Sequence, residues 1–292
     1  MEIRVPDHGS QGSGAASGAG FAAGPIGGQA LIEGVMMRRG TCWGAAVRRT
    51  DGSIATVRRE LPEPLDAVRR LPLLRGVVAL GESVALGTRA MLWAARERED
   101  ATEDGTGGYS RSGLALSTLL AVTLALGLFG LFPGAAVKAV GIEGRFAFSF
   151  SEGLLRLGML VGYMWLLSRS RAMRRVFAYH GAEHMTIHAF EHGVALESDE
   201  IRRFDRRHPR CGTSFLLLVA ITAAFVHVLV GTPSWPVLVA SRILGLPVVA
   251  AVAYEVIRYA GRHQATTFGR VLMAPGSWLQ SLTTREPDDD QI

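Results

Sequence analysis

A run of histidines interrupted by a glutamate is the feature of this 292-residue sequence with the clearest chemical meaning. His180, Glu183 and His184 match the order H-x-x-E-H, in which two imidazoles hold a zinc ion and the neighbouring carboxylate deprotonates water. On a helix, residues four apart lie one turn from each other on the same face, so the two rings can reach one ion. The pattern therefore predicts a divalent-metal site with Glu183 as its catalytic base.

A second group of potential ligands lies just before a later apolar segment. His208 and Cys211 are three residues apart, and an imidazole paired with a thiolate favours zinc. The two groups together predict a ligand set of His180, His184, His208 and Cys211. With four protein ligands the site is structural. With His180, His184 and His208 as the ligands, an open position and Cys211 as a nearby thiol, it is catalytic, and the sequence leaves both alternatives open.

His188, Glu191 and His192 continue the same helical stripe. His192 is too far along the helix from His180 to share an ion with it. A single histidine in such a segment is more often solvated or hydrogen-bonded than a ligand. We therefore leave His188 and His192 outside the predicted ligand set.

The elements that must position these residues are mostly apolar. Hydrophobic residues make up 48% of the chain and the mean hydropathy is +0.22, a balance that indicates a membrane protein. Glu152 and Arg156 interrupt one apolar segment four residues apart, on one helix face, where they can pair. Four segments have the length and hydropathy of candidate membrane spans: 114–132, 148–167, 214–230 and 237–257.

The distribution of lysine and arginine predicts the orientation of these spans. The counts in the segments before, between and after them are 14, 2, 9, 0 and 4. By the positive-inside rule, this alternation places both termini and the His-rich loop in the cytoplasm. In the apolar stretch 71–95, Arg75, Glu82 and Arg89 share one helix face, which favours an amphipathic helix on the membrane surface over a re-entrant segment.

The N-terminal part has a different composition. Residues 1–25 are rich in Gly, Ala and Ser and are expected to form a flexible lead-in. Asp51-Gly52 lies between two runs that contain valine, isoleucine or threonine, which predicts a β-hairpin. The fold class expected is mainly α, a polytopic helical membrane protein with about four spans, an interfacial helix and a small N-terminal cytoplasmic β element.

These features divide the chain into consecutive segments. After the lead-in we expect the β element in 26–70, the amphipathic or re-entrant helix and a linker in 71–113, spans 1 and 2 in 114–167, the cytoplasmic His-rich loop in 168–213, spans 3 and 4 in 214–257, and an interfacial C-terminal segment with Trp278 in 258–292.

Composition also excludes several classes of protein. Lys138 is the only lysine and the chain has no asparagine, which excludes a phosphate-binding Gly-Lys-Ser/Thr loop and a Cys-His-Asn protease. Cys42 and Cys211 alone cannot form a disulfide framework. The nine arginines of the His-rich loop are explained by topology and anionic lipid headgroups, so membrane lipid is the expected partner and nucleic acid is not.

Five stretches resemble the bacterial DUF1385, or YqhQ-like, membrane proteins. They are 27–38 (GGQALIEGVMMR), 75–83 (RGVVALGES), 179–184 (YHGAEH), 208–215 (HPRCGTSF) and 282–289 (LTTREPDD). The resemblance extends over nearly the whole chain from Gly27 and implies a metal-dependent enzyme whose reaction is not established. The site that it implies comprises Glu33, Arg38, Arg75, Glu82, His180, Glu183, His184, His208, Arg210 and Cys211.

Five of these residues are expected to support the ligands or to bind substrate: Glu33, Arg38, Arg75, Glu82 and Arg210. If the β element folds onto the cytoplasmic loop, Glu33 becomes a further ligand or orients an imidazole. The alternative is that its glycine-rich stretch only forms turns between short strands.

The function expected is that of an inner-membrane protein with a divalent metal, zinc, on its cytoplasmic face. It would hydrolyse a lipid headgroup or a segment of a membrane protein at the membrane surface. The alternative is a non-catalytic scaffold or assembly factor with a structural metal, which could recruit a membrane-protein partner.

Overall fold

The computed structural model describes residues 26–61, 71–99, 111–263 and 265–292. The lead-in predicted for 1–25 lies outside these residues, as do parts of the segments 26–70 and 71–113. In the described part the chain is mainly helical, with a small antiparallel sheet near the N-terminus. This confirms the predicted fold class at that level.

The sheet is a four-stranded antiparallel meander in sequence order. Its strands are β1 (Ile26–Leu31), β2 (Gly34–Arg39), β3 (Cys42–Arg48) and β4 (Ile54–Glu60). The hairpin predicted at Asp51-Gly52 joins β3 to β4, and Gly52 has the positive φ of 87° that a tight turn demands. Side chains alternate between the two faces of a strand, and one face is apolar and buried.

Helices make up most of the remaining described residues. They are α1 (Leu74–Glu99), α2 (Arg111–Ala125), a π-helical segment (Leu126–Leu131), α3 (Phe132–Ala139), α4 (Arg145–Arg169), α5 (Arg171–Glu191), α6 (Ser198–Ile201), α7 (Gly212–Val228), α8 (Trp235–Leu244), α9 (Leu246–Arg262), α10 (Thr267–Thr283) and a 3-10 turn (Asp289–Gln291).

Two helical stretches in the described part are long and apolar enough to cross a membrane, Leu74–Arg98 and Leu116–Ala139. A third is added if α8 and α9, which meet at an angle of 45°, form one span. Helix α7 is apolar but has only 17 residues. The structure therefore supports two to three apolar helices of spanning length, whereas we predict four spans. One of these helices, Leu74–Arg98, comes from the stretch 71–95, for which we expect a surface helix.

Helix α7 lies at the centre of the helical bundle, in contact with α4, α9 and α10. Leu217 and Ala220 of α7 pack with Leu160 of α4 and Leu279 of α10 in one apolar cluster. The approach of α4 to α7 is close: a Cβ atom at Gly153 would lie 2.5 Å from the Cβ of Ala224. The bundle thereby holds the N-terminal end of α7, where Cys211 lies, in a defined place.

The sheet packs on two helices. Its buried face, including Leu31 and Val47, forms a core with Leu86 and Ala90 of α1. Strand β1 also lies against α5, the helix that carries the predicted H-x-x-E-H pattern. On another side of α5 the C-terminal tail returns, and the backbone N–H of Arg285 donates to the carbonyl of Phe177 at 2.8 Å. Helix α5 is thus enclosed by segments from both ends of the chain.

Candidate metal centre

Three of the four predicted ligands converge. The ligand atoms of His180, His184 and Cys211 all lie within 4.8 Å of one another. The centroids of the two imidazole rings are 4.4 Å apart, and Nε2 of His180 is 3.2 Å from Sγ of Cys211. His184 and Cys211 are buried. Two nitrogens and one sulfur are donor types that zinc binds.

Backbone carbonyls determine which ring nitrogen carries the proton. Nδ1 of His180 donates to the carbonyl of Thr283 at 2.7 Å, and Nδ1 of His184 donates to the carbonyl of Arg206 at 2.7 Å. A carbonyl oxygen only accepts, so the hydrogen lies on Nδ1 and the lone pair of the neutral ring lies on Nε2. This hydrogen bonding is the usual support of histidines that bind metal ions.

The third donor is positioned by the turn before α7. Cys211 is the residue that precedes the first turn of α7, and its backbone N–H donates to the carbonyl of His208 at 3.2 Å. The buried side chain of Gln280 clamps this turn: Oε1 accepts from the N–H of His208, and Nε2 donates to the carbonyl of His208 and to Oγ of Ser214. Helix α10 therefore fixes the place of Cys211 relative to α5.

The fourth predicted ligand lies in a neighbouring group. Ligand atoms of His208, His188 and Glu191 also lie within 4.8 Å of one another. Nδ1 of His208 accepts from the N–H of Arg210 at 3.3 Å, which leaves the proton on Nε2, 3.6 Å from Oε2 of Glu191. Burial, with help from the nearby charge of His188, lowers the pKa of His208 to about 3. The predicted four-ligand set is thus divided between two adjacent groups.

Glu183 lies one helical turn from His180, against the sheet. Its side chain is 4% exposed, and a Cβ atom at Gly28 of β1 would lie 2.5 Å from its Oε1. In the described part of the chain the structure gives its carboxylate no hydrogen-bond donor. Burial raises the pKa of Glu183 to about 7, against the opposing influence of His180. Next to the three converging donors there is therefore a carboxylate whose oxygens are available.

The β element does fold onto the His-rich segment, as the condition for a role of Glu33 demands. The carboxylate of Glu33 accepts hydrogen bonds from Nη2 of Arg175 at 2.6 Å and from the hydroxyl of Tyr179 at 3.4 Å, both on α5. The Arg175 guanidinium holds the pKa of Glu33 below its ordinary value. The partners of Glu33 are thus a guanidinium and a phenol, whereas we expected an imidazole or a metal ion.

The remaining predicted residues form ion pairs between elements. Arg38 of β2 lies 3.3 Å from Glu82 of α1, and Arg75 of α1 pairs with Glu255 of α9. Arg210 pairs with Glu191, the carboxylate of the second ligand group. These contacts join the sheet, α1 and α9 around the centre, while a role for these residues in binding substrate stays a prediction.

A groove opens beside the centre. It has a volume of about 820 Å³, and helices α1, α7 and α9 form most of its walls. The walls are largely apolar and include Val84, Phe215 and Tyr254, while Gln29, Arg210 and Cys211 add polar atoms. One of the three converging donors therefore also lines a groove of the size that binds small molecules.

Sequence reasoning missed the residues that hold the centre together. Gln280 and Thr283 of α10 support the Cys211 turn and His180, and Gly28 leaves the space that Glu183 fills. The stretch 282–289 carried the resemblance described above, so the C-terminal segment had a signal that we did not connect to the ligands.

Comparison with known proteins places the chain in a family. The family model described as "Protein of unknown function (DUF1385)" matches residues 71–292, which confirms the resemblance read from the five stretches, and the chain belongs to this family. The "Uncharacterized protein YqhQ" of Bacillus subtilis (strain 168) is 37% identical over 281 residues, which cover 91% of this chain and 88% of that protein. No solved structure matches the chain.

Proposed function

We propose that this chain is a multi-pass protein of the bacterial inner membrane that hydrolyses a substrate at the cytoplasmic surface with the help of a zinc ion. The observation that carries the proposal is the convergence of two Nε2 lone pairs and the Cys211 sulfur, with both Nδ1 atoms hydrogen-bonded to backbone carbonyls. Three protein donors leave one position of a tetrahedral site open, which is the arrangement of catalytic zinc sites.

The topology in this proposal has four spans and both termini in the cytoplasm. The alternation of basic residues, 14, 2, 9, 0 and 4, supports it. Helix α1 is assigned to the membrane surface because the sheet packs along it, with Leu86, Ala90 and Ala94 in their common core. An arginine-bearing sheet does not enter hydrocarbon, and its contacts extend over the C-terminal half of α1.

Each residue of the centre has a defined task in this proposal. His180, His184 and Cys211 hold the ion, and Glu183 accepts a proton from the attacking water and returns it to the leaving group. When bound, zinc supplies Lewis acidity that activates water and polarises the electrophile. Among the described residues none donates a hydrogen bond to Glu183, which supports its role, because its oxygens need not break such a bond before they accept a proton.

The groove beside Cys211 suggests where the substrate lies. Its apolar walls suit an acyl chain or an apolar peptide segment, and Arg210 at its polar end suits a phosphate or a carboxylate. Substrates that combine these features at the cytoplasmic surface are lipid headgroups and juxtamembrane segments of membrane proteins. We propose membrane lipid as the first class to test.

A structural role of the metal is the second candidate. It is favoured by the way the centre joins α5, the turn before α7 and, through Thr283, the end of α10. In that case the ion pins these segments together, and the protein acts as a membrane scaffold or assembly factor.

Substitution of Glu183 distinguishes the two candidates. We would purify the full chain, load it with zinc, measure zinc by mass spectrometry, and incubate it with vesicles of phosphatidylglycerol and cardiolipin while lipid products are quantified. Glu183→Gln is expected to keep one zinc per chain and to lose product formation. The exposed Glu143→Gln serves as the matched control and should retain both.

Three results would contradict the proposal. An unchanged zinc content in His184→Ala would show that zinc does not bind at the proposed site. Normal turnover in Glu183→Gln with zinc bound would show that Glu183 is not the catalytic base. Zinc binding without turnover on lipid or on membrane peptides would leave the scaffold as the remaining candidate.

A further inference from the structure

A second polar cluster is buried in the helical bundle, at the other end of α7. It consists of Glu152 and Arg156 of α4, His227 of α7 and Arg242 of α8, and each residue is at most 6% exposed. His227 lies about 24 Å along α7 from Cys211 at 1.5 Å per residue. The cluster is therefore separate from the candidate metal centre.

Two guanidinium groups share one carboxylate in this cluster. Nη2 of Arg156 donates to Oε1 of Glu152 at 2.5 Å, as predicted from their spacing. Nε of Arg242 donates to the same oxygen at 2.8 Å, and its Nη2 donates to Oε2. Within the described residues neither arginine has a second carboxylate within ion-pair distance. The cluster therefore has an excess of one positive charge, and a buried charge without a partner is costly.

Two nitrogen atoms of the cluster make no hydrogen bond to any described residue. In the described part of the chain, Nη1 of Arg156 and Nδ1 of His227 are buried and make no hydrogen bond. His227 Nδ1 lies 3.4 Å from Oε1 of Glu152, an oxygen that already accepts from both arginines. Buried polar groups nearly always find a partner, so these atoms point to a missing acceptor.

A cavity with a volume of about 430 Å³ meets the same side chains. Arg156, His227 and Arg242 line it, while the rest of its wall is almost entirely apolar. On α7 the lining residues Leu216, Val219, Ala220, Ala223 and His227 follow one helix face, so the apolar part extends along α7 from the cationic end. The volume lies within the range of roughly 300–1,000 Å³ for ligand pockets.

The π-helical segment helps to hold the cationic end. Nε of Arg156 donates to the carbonyl of Phe129 at 2.8 Å, and Nη2 donates to that of Gly130 at 3.4 Å. A π-helical turn is rare and is often found at functional sites. These bonds orient the guanidinium of Arg156, a residue that lines the cavity, and none of them uses Nη1.

We propose that this cavity binds a long-chain amphiphile whose headgroup carries negative charge, either a carboxylate or a phosphate monoester. The headgroup accepts hydrogen bonds from Arg156 and His227 and balances the excess positive charge. The hydrocarbon chain lies along the apolar face of α7. This site does not depend on zinc or on the hydrolytic activity proposed above.

Native mass spectrometry of the delipidated full chain in neutral detergent tests the proposal. The probes are palmitate, 1-palmitoyl lysophosphatidate and hexadecanol, which share a 16-carbon chain and differ in the headgroup. One palmitate or one lysophosphatidate is expected to bind per chain. The probe that binds with the higher affinity identifies the headgroup. Hexadecanol should bind at least about tenfold more weakly because it carries no charge. Equal binding of hexadecanol would overturn the proposal.

Substitutions locate the site. Arg156→Gln should weaken binding of the anionic probe by at least about tenfold, while the exposed Arg145→Gln on the same helix should not change it. Ala223→Phe fills the cavity and should abolish binding, whereas Ala240→Phe, at an exposed position on α8, should leave it intact. Circular dichroism shows which variants fold. A folded Ala223→Phe or Arg156→Gln variant with wild-type binding would overturn the proposal.

Discussion

The two polar clusters at the ends of α7 differ in the chemical groups that they contain. At the Cys211 end, the ligand atoms of two imidazoles and a thiol lie within 4.8 Å of one another. At the His227 end, two arginines share the single carboxylate of Glu152. The first cluster offers electron pairs, and the second has an excess of positive charge. In our two proposals the same helix therefore presents a cation site and an anion site.

The clusters also differ in what holds them. The histidines are held from outside by backbone carbonyls that accept from both Nδ1 atoms. The arginines are held mainly by the carboxylate at the middle of their own cluster, with support from the π-helical carbonyls. Loss of one side chain should therefore weaken ligand binding at the first cluster and the fold itself at the second.

Glu152→Gln is expected to have the largest effect on stability. It leaves two buried guanidinium groups without a counter-ion, and removal of one partner from a buried ion pair costs about 3–5 kcal/mol. Unfolding of the purified chain in detergent, followed by circular dichroism, measures the change. The exposed Glu143→Gln is the control and should stay within about 0.5 kcal/mol of the wild type. A Glu152→Gln variant as stable as this control would mean that the arginines do not depend on Glu152.

Cys211→Ser is expected to have the largest effect on zinc binding. Loss of a partner outside the ligand shell lowers metal affinity by about 10- to 100-fold, so loss of a ligand should lower it by more than about 100-fold. Calorimetric titration with zinc measures the affinity. Cys42→Ser, the other free cysteine, is the matched control and should bind zinc as the wild type does. Equal affinities of the two variants would show that Cys211 is not a ligand.

Gly28→Ala tests how β1 positions Glu183, the carboxylate that we propose as the catalytic base. The added methyl group would overlap Glu183, whose side chain must move, and we expect a loss of about 1 kcal/mol in unfolding free energy. Zinc content should be retained while turnover falls, as in Glu183→Gln. At Gly27 an added Cβ meets no atom within 4 Å, so Gly27→Ala should be neutral. Equal turnover in both variants would show that the position of Glu183 does not affect the reaction.

Local signals predicted much of the fold. Asp51-Gly52 identified the β3–β4 hairpin, and the spacing of Glu152 and Arg156 identified their ion pair, because both depend only on neighbouring residues. The convergence of α5 with the turn before α7 was expected from residue chemistry. It depends on a fold that brings together residues about 30 positions apart in sequence.

The contacts that the sequence did not reveal are those between distant segments. Thr283 supports His180 through a backbone carbonyl, and a carbonyl has no residue-type signature. The separation of His208 from His180 depends on the turn geometry at Cys211 and on the Gln280 clamp. Arg242 could be recognised as a charge within an apolar segment, but its pairing with Glu152 depends on how α8 packs against α4.

The smallest expected effect is that of Glu33→Gln, which contrasts an exposed ion pair with the buried one at Glu152. The Arg175 side chain is 50% exposed, so solvent screens the pair, and its loss should cost less than about 1 kcal/mol at pH 7. Because Arg175 holds the folded-state pKa of Glu33 below the ordinary value of 4.5, the pair stabilises the fold above that pH. The stabilisation is lost as the pH falls through the folded-state pKa, because below it Glu33 is protonated in both states.

Unfolding of wild type and variant at pH 7 and at pH 3 measures the difference in unfolding free energy, which should shrink at the lower pH. A difference that is independent of pH would show that the carboxylate acts through packing, and a cost as large as that of Glu152→Gln would remove the distinction between exposed and buried pairs.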